Sequence, residues 1–244
     1  MSGGIDWRKP AAEFIGTAFL LAAVVGSGIM AERLSAGNAA IALLANAVAT
    51  GAALFALIHT FAPISGAHFN PAVTLVMGAA GAIERALLLP YLLCQSAGAI
   101  IGVWAAHLMF DMSILQASAH TRTGIGQWAG EFVATFGLVT VIESGRRRFA
   151  SALPASVALY ITAAYWFTSS TSFANPAVTL ARSLTDTFAG IAPADVPAFI
   201  AVQAIGASAA FLAIRALYKD SHSADPGLAS PALRQRELAQ SSDV

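Results

Sequence analysis

Charge is scarce in this 244-residue chain: Asp, Glu, Lys and Arg make up 11% of it, against roughly 25% in ordinary soluble domains. Formal net charge is zero, so nothing suggests a nucleic-acid or acidic-surface partner. Cysteine is almost missing. Cys94 stands alone, so no intrachain disulfide can form, and within an apolar stretch it reads as a packing residue. The five histidines show no metal-ligand spacing. No nucleophile–base constellation, phosphate-cradling glycine loop or metal cluster stands out, so the chain does not read as an enzyme and no cofactor is implied.

What the chain does have is apolar length. Hydrophobic residues are 57% of the total and mean hydropathy is +0.69. About 20 apolar residues suffice to cross a bilayer as a helix. Runs of that kind lie near 11–31, 38–61, 85–109, 127–143, 152–168 and 196–218. Arg8 and Lys9 before the first run resemble the start of a signal peptide, but Glu13 interrupts the run and no small-residue cleavage site closes it. Residues 1–10 are therefore read as a short N-terminus ahead of a retained first helix. Residues 220–244 are polar, rich in Ser, Ala and Pro, and predicted to be disordered.

Six crossings put both termini on one side. Arg8, Lys9, Arg85, Arg146, Arg147, Arg148 and Lys219 fall on that side, and Arg33, Arg122 and Arg182 on the other. The positive-inside rule then predicts cytoplasmic termini. Short loops and a compact chain suggest a bacterial inner membrane.

The sequence repeats itself. Glu13-Phe14-Ile15-Gly16-Thr17 returns as Glu131-Phe132-Val133-Ala134-Thr135, and Gln95-Ser96-Ala97-Gly98 is echoed by Gln203-Ala204-Ile205-Gly206. Asn70-Pro71-Ala72-Val73-Thr74-Leu75 returns unchanged as Asn175-Pro176-Ala177-Val178-Thr179-Leu180. The landmarks occur in the same order at similar offsets, which divides the region 11–219 into halves at about 11–115 and 126–219. Each half holds three spans, an odd number, so the second must be inverted relative to the first. Small residues four apart, Gly98 with Gly102, Ala47 with Gly51 and Gly206 with Ala210, suit close helix packing or arise by chance in Ala-rich helices.

Each repeated motif begins a short apolar segment, Ala72 to Gly78 and Ala177 to Leu184. Asn is a good N-cap and Pro suits the first helical turn. Segments this short cannot span, so they read as half-helices whose exposed backbone must line a watery path. Inversion makes their positive dipole ends meet at the centre. There the Asn70 and Asn175 amides are placed to donate to a passing solute oxygen, and the dipoles to repel cations, as aquaporin-type half-helices do.

Two copies so placed are specific. The run from Ser65 through Gly66, Ala67, His68 and Phe69 to Asn70-Pro71-Ala72-Val73-Thr74-Leu75 resembles the first signature of the aquaporin and aquaglyceroporin family. The resemblance covers nearly the whole chain apart from its ends. It implies an all-α membrane protein, with six transmembrane helices and two re-entrant half-helices in an inverted repeat. It also implies a homotetramer with one pore per subunit, and Glu13 and Glu131 bracing the re-entrant loops. His68 is then either a pore residue near the cytoplasmic side or a tie for its loop.

The chain departs from the family at the constriction. Most members continue the second motif with arginine; here the position is Val178. Ungapped alignment puts Thr50, Ala163, Ser172 and Val178 at the selectivity positions, without the usual aromatics, histidine or arginine. That implies a wider, less positive filter, passing water and larger uncharged solutes such as glycerol, urea or hydroxylated metalloids. The metalloid is exemplified by arsenite as undissociated arsenous acid, which resembles the association of some bacterial members carrying this valine. Arg182, one turn on, either reaches the pore mouth or anchors its loop. Phe69, Phe173, Trp166 and Tyr165 are further candidates for narrowing the path. Two other readings remain: a water-selective channel with its restriction elsewhere, and a coupled secondary transporter, which also uses inverted repeats.

Overall fold

The computed structural model describes residues 5–219, and the tail 220–244 with its expected disorder lies outside them. The chain divides into two units, Met1–Phe211 and Leu212–Val244, and of the second only the last turns of the final helix are described. Eight α-helices and no strands are found among the described residues. Six are long: α1 (Arg8–Leu34), α2 (Ala39–Ser65), α4 (Arg85–Met109), α5 (Ile125–Arg148), α6 (Leu153–Phe167) and α8 (Val196–Lys219). The six, with α6 and α8 each extended by a short 3-10 turn, are long and apolar enough to cross a membrane. Two are short: α3 (Pro71–Ala79) and α7 (Pro176–Arg182).

All six expected spans form, with ends moved by about a turn. The largest extension is in α5, which stays helical through Arg146, Arg147 and Arg148, because basic residues suit the negative end of a helix dipole. The second short segment ends at Arg182 rather than Leu184. Alternating crossings define two faces. The start of α1, the end of α2 and the α5–α6 turn share one, called here the N-terminal face. The α1–α2 turn, the α4–α5 loop and the α7–α8 loop share the other, the distal face.

Glycines set the closest helix contacts. A Cβ on Gly98 would strike the backbone carbonyl of Phe14, and one on Gly102 that of Ala18. In the second half, a Cβ on Gly206 would lie 2.7 Å from the Phe132 carbonyl oxygen. Phe14 and Phe132 are repeat-equivalent, so α1–α4 and α5–α8 are pressed together by the same device. Gly51 likewise meets α6, at the Ala158 carbonyl and Thr162. The glycines of the three small-residue pairs therefore mark close approaches between helices.

Replacing Gly98 with Ala forces a methyl against backbone that has no rotamer to yield. Overpacking of this kind costs about 1–3 kcal/mol. Gly98→Ala should lower the melting temperature of the detergent-solubilised protein, whereas Gly126→Ala, whose Cβ meets only Ser169 Oγ at 4.0 Å, should leave it near wild type. Equal melting temperatures would remove Gly98 from the packing argument.

Candidate functional site

The centre is built from the two repeated motifs. Asn70 Oδ1 accepts from the backbone N–H groups of Ala72 (2.9 Å) and Val73 (3.4 Å), capping α3. Asn175 Oδ1 does the same for Ala177 (3.0 Å) and Val178 (3.3 Å), capping α7. Each amide nitrogen then reaches across: Asn70 Nδ2 donates to the Ala174 carbonyl at 2.7 Å, and Asn175 Nδ2 to the Phe69 carbonyl at 2.8 Å. An amide carries two N–H donors, so one of each pair locks the opposite loop and one is left for the cavity that both asparagines line. The sequence reading offered both amides to the solute; the structure commits half of that capacity to the fold.

The loops ahead of the caps are strained alike. Ala67 and Phe69 have φ of 51° and 48°, and Ser172 and Ala174 have 51° and 48°. These are the residues three and one before each asparagine. A non-glycine residue held there costs on the order of 1–3 kcal/mol and needs its surroundings to hold it. Glu13 and Glu131, both fully buried, supply the hold. Glu13 accepts from Ser65 Oγ (2.6 Å), the N–H groups of His68 (3.0 Å) and Phe69 (2.6 Å), and Gln95 Nε2 (2.8 Å). Glu131 accepts from the N–H groups of Phe173 (2.8 Å) and Ala174 (2.9 Å) and from Gln203 Nε2 (2.6 Å). The same glutamines donate to Thr74 and Thr179 Oγ1, each at 2.8 Å, tying the half-helices to α4 and α8. His68 Nδ1 lies 3.1 Å from Thr74 Oγ1 on α3, and the residue also lines the cavity.

A cavity of about 240 Å³ runs past both motifs. Its walls are stripes of residues spaced by four, as one face of a helix requires. They are Leu20 and Val24 on α1, Thr50, Leu54 and Ile58 on α2, Leu138, Ile142 and Arg146 on α5, and Leu153, Val157, Ile161 and Tyr165 on α6. The half-helices add Val73 with Met77 and Val178 with Arg182. Most of this lining is apolar.

Of the four positions expected at the constriction, the structure brings three together. Thr50, Ser172 and Val178 line the cavity; Ala163 does not. It lies on the exposed side of α6, between Ile161 and Tyr165 and therefore roughly 200° around the helix from either. An ungapped alignment misplaces it, and Tyr165, whose hydroxyl is 3.4 Å from Thr50 Oγ1, occupies the lining instead. Phe69 and Phe173 also line the cavity, whereas Trp166 is half exposed and does not.

Arg182 both anchors and lines. Its side chain is 2% exposed, its Nε donates to the Ala189 carbonyl, and its guanidinium carbon sits 3.4 Å from the centre of the Phe173 ring. Its Nη1 and the Ser172 Oγ are buried without a hydrogen-bond partner, and both residues line the cavity. Sequence reasoning did not single out Arg122, which approaches the same ring at 5.0 Å and is pinned by the carbonyls of Gly190 (2.7 Å) and Ser170 (3.3 Å). Burial lowers its pKa from the ordinary guanidinium value, and the carboxylate of Glu131 opposes that shift.

Two half-helices meeting tip to tip inside six crossing helices, beside a continuous lined cavity, define a membrane channel. The profile of the family described as Major intrinsic protein matches residues 3–168. The aquaglyceroporin AqpS of Rhizobium meliloti (strain 1021) is 54% identical over 208 residues, 85% of this chain and 89% of that protein. A stretch that long within 244 residues necessarily contains both motifs. Aquaporin Z of Bradyrhizobium diazoefficiens is 36% identical over 106 residues, covering 43% of this chain and 42% of that one. The X-ray structure of the aquaglyceroporin from Plasmodium falciparum shares the fold, with a TM-score of 0.63 at 19% identity over 84% of this chain and 94% of that chain. The chain belongs to the major intrinsic protein family, whose members are channels for water and small solutes and not enzymes.

Because Glu131 only accepts hydrogen bonds, Glu131→Gln turns an NH₂ group toward donors. An unsatisfied buried donor costs about 1–3 kcal/mol. The variant should melt at a lower temperature and conduct less water per inserted molecule in liposomes. Wild-type values for both would show that the carboxylate is not the brace.

Proposed function

We propose that this chain is a passive channel for water and small uncharged oxygen-rich solutes of the glycerol class, extending to urea and hydroxylated metalloids such as arsenite. The observation that carries the reading is the arrangement around Val178. A small apolar side chain stands where most of the family has arginine, and a guanidinium with a free donor lines the same cavity one turn further out, at Arg182.

The filter of this reading is Thr50, Ser172 and Val178, with Tyr165 in place of Ala163 and Arg182 as the charged member. Valine leaves room for solutes wider than water. Arg182 retains the positive field and hydrogen-bond donors that a polyol needs in exchange for its hydration. The charge is thus displaced, not lost, which narrows the expectation of a filter with little positive field. Similarity to a relative named an aquaglyceroporin supports glycerol-sized solutes. The apolar walls, with no Asp or Glu among the described residues that line the cavity, support a channel over a coupled transporter.

The subunit is proposed to sit in a bacterial inner membrane as a homotetramer with both termini in the cytoplasm. The charge bias supports that orientation, and the three basic residues on the distal face are structurally committed. Arg33 donates to the Phe110 carbonyl at 3.1 Å, Arg122 to Gly190 and Ser170, and Arg182 to Ala189.

Stopped-flow measurements on proteoliposomes test the filter. Val178→Arg should lower glycerol and arsenite flux by about tenfold while reducing water flux less, since it places a second forked cation beside Arg182. Arg182→Ala should lower the flux of glycerol relative to water, because it removes the donors that replace the polyol's hydration. Unchanged solute flux in the first variant, with unchanged selectivity in the second, would move the restriction elsewhere and favour a water-selective pore.

A further inference from the structure

Arg182 is the guanidinium at the distal end of the tunnel, and a second one stands at the N-terminal end. Arg146 continues the lining stripe of α5 one turn beyond Ile142 and lines the same cavity. Its position is fixed with unusual care. Its Nε and Nη2 donate to the two carboxylate oxygens of Glu143 at 2.8 and 2.7 Å, and Arg147 adds a third bond to that carboxylate at 3.2 Å. Glu143 is fully buried, while the Arg146 side chain is 29% exposed. The third nitrogen, Nη1, has no hydrogen-bond partner among the described residues.

Burying a carboxylate is costly, and Arg147 alone would neutralise it. The second, two-pronged bond to Arg146 orients a planar donor group instead, because a carboxylate holds a guanidinium in one plane and one direction. The same cavity is lined by Ile142, Leu153, Val157 and Met77, with His68 among its polar members. A solute with several hydroxyls loses more hydration than water does on entering such walls, so a fixed donor at the threshold favours it selectively.

We propose that Arg146, positioned by Glu143, is a second specificity-determining residue, a donor for small neutral polyoxygenated solutes at the N-terminal end of the tunnel. This rests on the channel reading above.

The test uses the full chain in liposomes, with water and glycerol permeability measured separately for wild type, Arg146→Gln, the double variant Glu143→Gln/Arg146→Gln, and Arg8→Gln. The double variant removes both partners and leaves no unpaired buried carboxylate, so it decides the matter should the single variant fail to fold. Arg8 lies on the same face with its side chain 84% exposed and outside the cavity lining, so its variant removes the same charge without touching the tunnel. Both Arg146 variants should keep water permeability within about twofold and lose about three- to tenfold in glycerol permeability, the scale of one ordinary net hydrogen bond; Arg8→Gln should change neither. A wild-type glycerol-to-water ratio in the folded Arg146 variants, or an equal fall in Arg8→Gln, overturns the assignment. Wild-type vesicles no more permeable than empty ones would instead overturn the channel reading itself.

Discussion

The structure depends on one exchange at its centre: each asparagine caps its own half-helix through its side-chain oxygen and ties down the opposite loop through its nitrogen. Irregular backbone at membrane depth survives only where its polar groups are satisfied by protein or face water. The exchange satisfies the helix N-termini and one carbonyl in each loop with two side chains. It also requires the loops to bring those carbonyls to the midplane, which is where the left-handed residues before each asparagine come from. Glu13 and Glu131 hold that strain, the glutamines join the carboxylates to the half-helices, and Gly98 and Gly206 let the glutamate- and glutamine-bearing helices approach closely enough for the bonds to form.

Symmetry stops at the tunnel's ends. In the shared register of the repeats, Leu20 and Val24 correspond to Leu138 and Ile142, and Val73 corresponds to Val178. These pairs build matching apolar walls. One turn outward the equivalences break. Met77 corresponds to Arg182, and Gly28 corresponds to Arg146. An inverted frame would otherwise present two identical mouths. Changing one residue per mouth gives each its own chemistry: Arg146 bonds to Glu143, outside the brace, and Arg182 meets the brace only through Phe173, whose ring it faces while the Phe173 N–H donates to Glu131.

Much of this was legible in the sequence because membrane physics leaves few alternatives. Apolar length gave the spans, and an odd number of spans per repeat gave the inversion. Asn-Pro beginning a segment too short to cross gave the half-helices. The residues that were not legible depend on which way a helix face turns. Ala163 was misplaced because ungapped counting through the α6–α7 connection cannot register a shift of two residues, which in a helix points to the opposite side. The four-residue stripe Leu153, Val157, Ile161 and Tyr165 was present in the sequence and would have located the lining residue. The same stripe logic on α5 leads from Leu138 and Ile142 to Arg146, a residue first read only as part of a topology signal. The crossed asparagine bonds had no sequence signal, since they depend on how two loops 100 residues apart face each other.

On the proposed reading, a filter arginine displaced by one turn has a physical consequence that a simple loss would not. Four residues of helix move a side chain's origin about 6 Å along the axis. The side chain carrying the charge thus starts one turn beyond Val178, and the Phe173 ring, 3.4 Å from the guanidinium carbon, helps fix where that charge sits. Cation rejection depends on charge near a low-dielectric path and falls off gradually with distance, whereas steric selection depends on the local width alone. On the proposed reading, separating the two lets the wall widen to pass a polyol while the field that opposes cations remains. The fixed loop carbonyl at Ala189 and the aromatic face of Phe173 are what make that position tenable for a buried arginine.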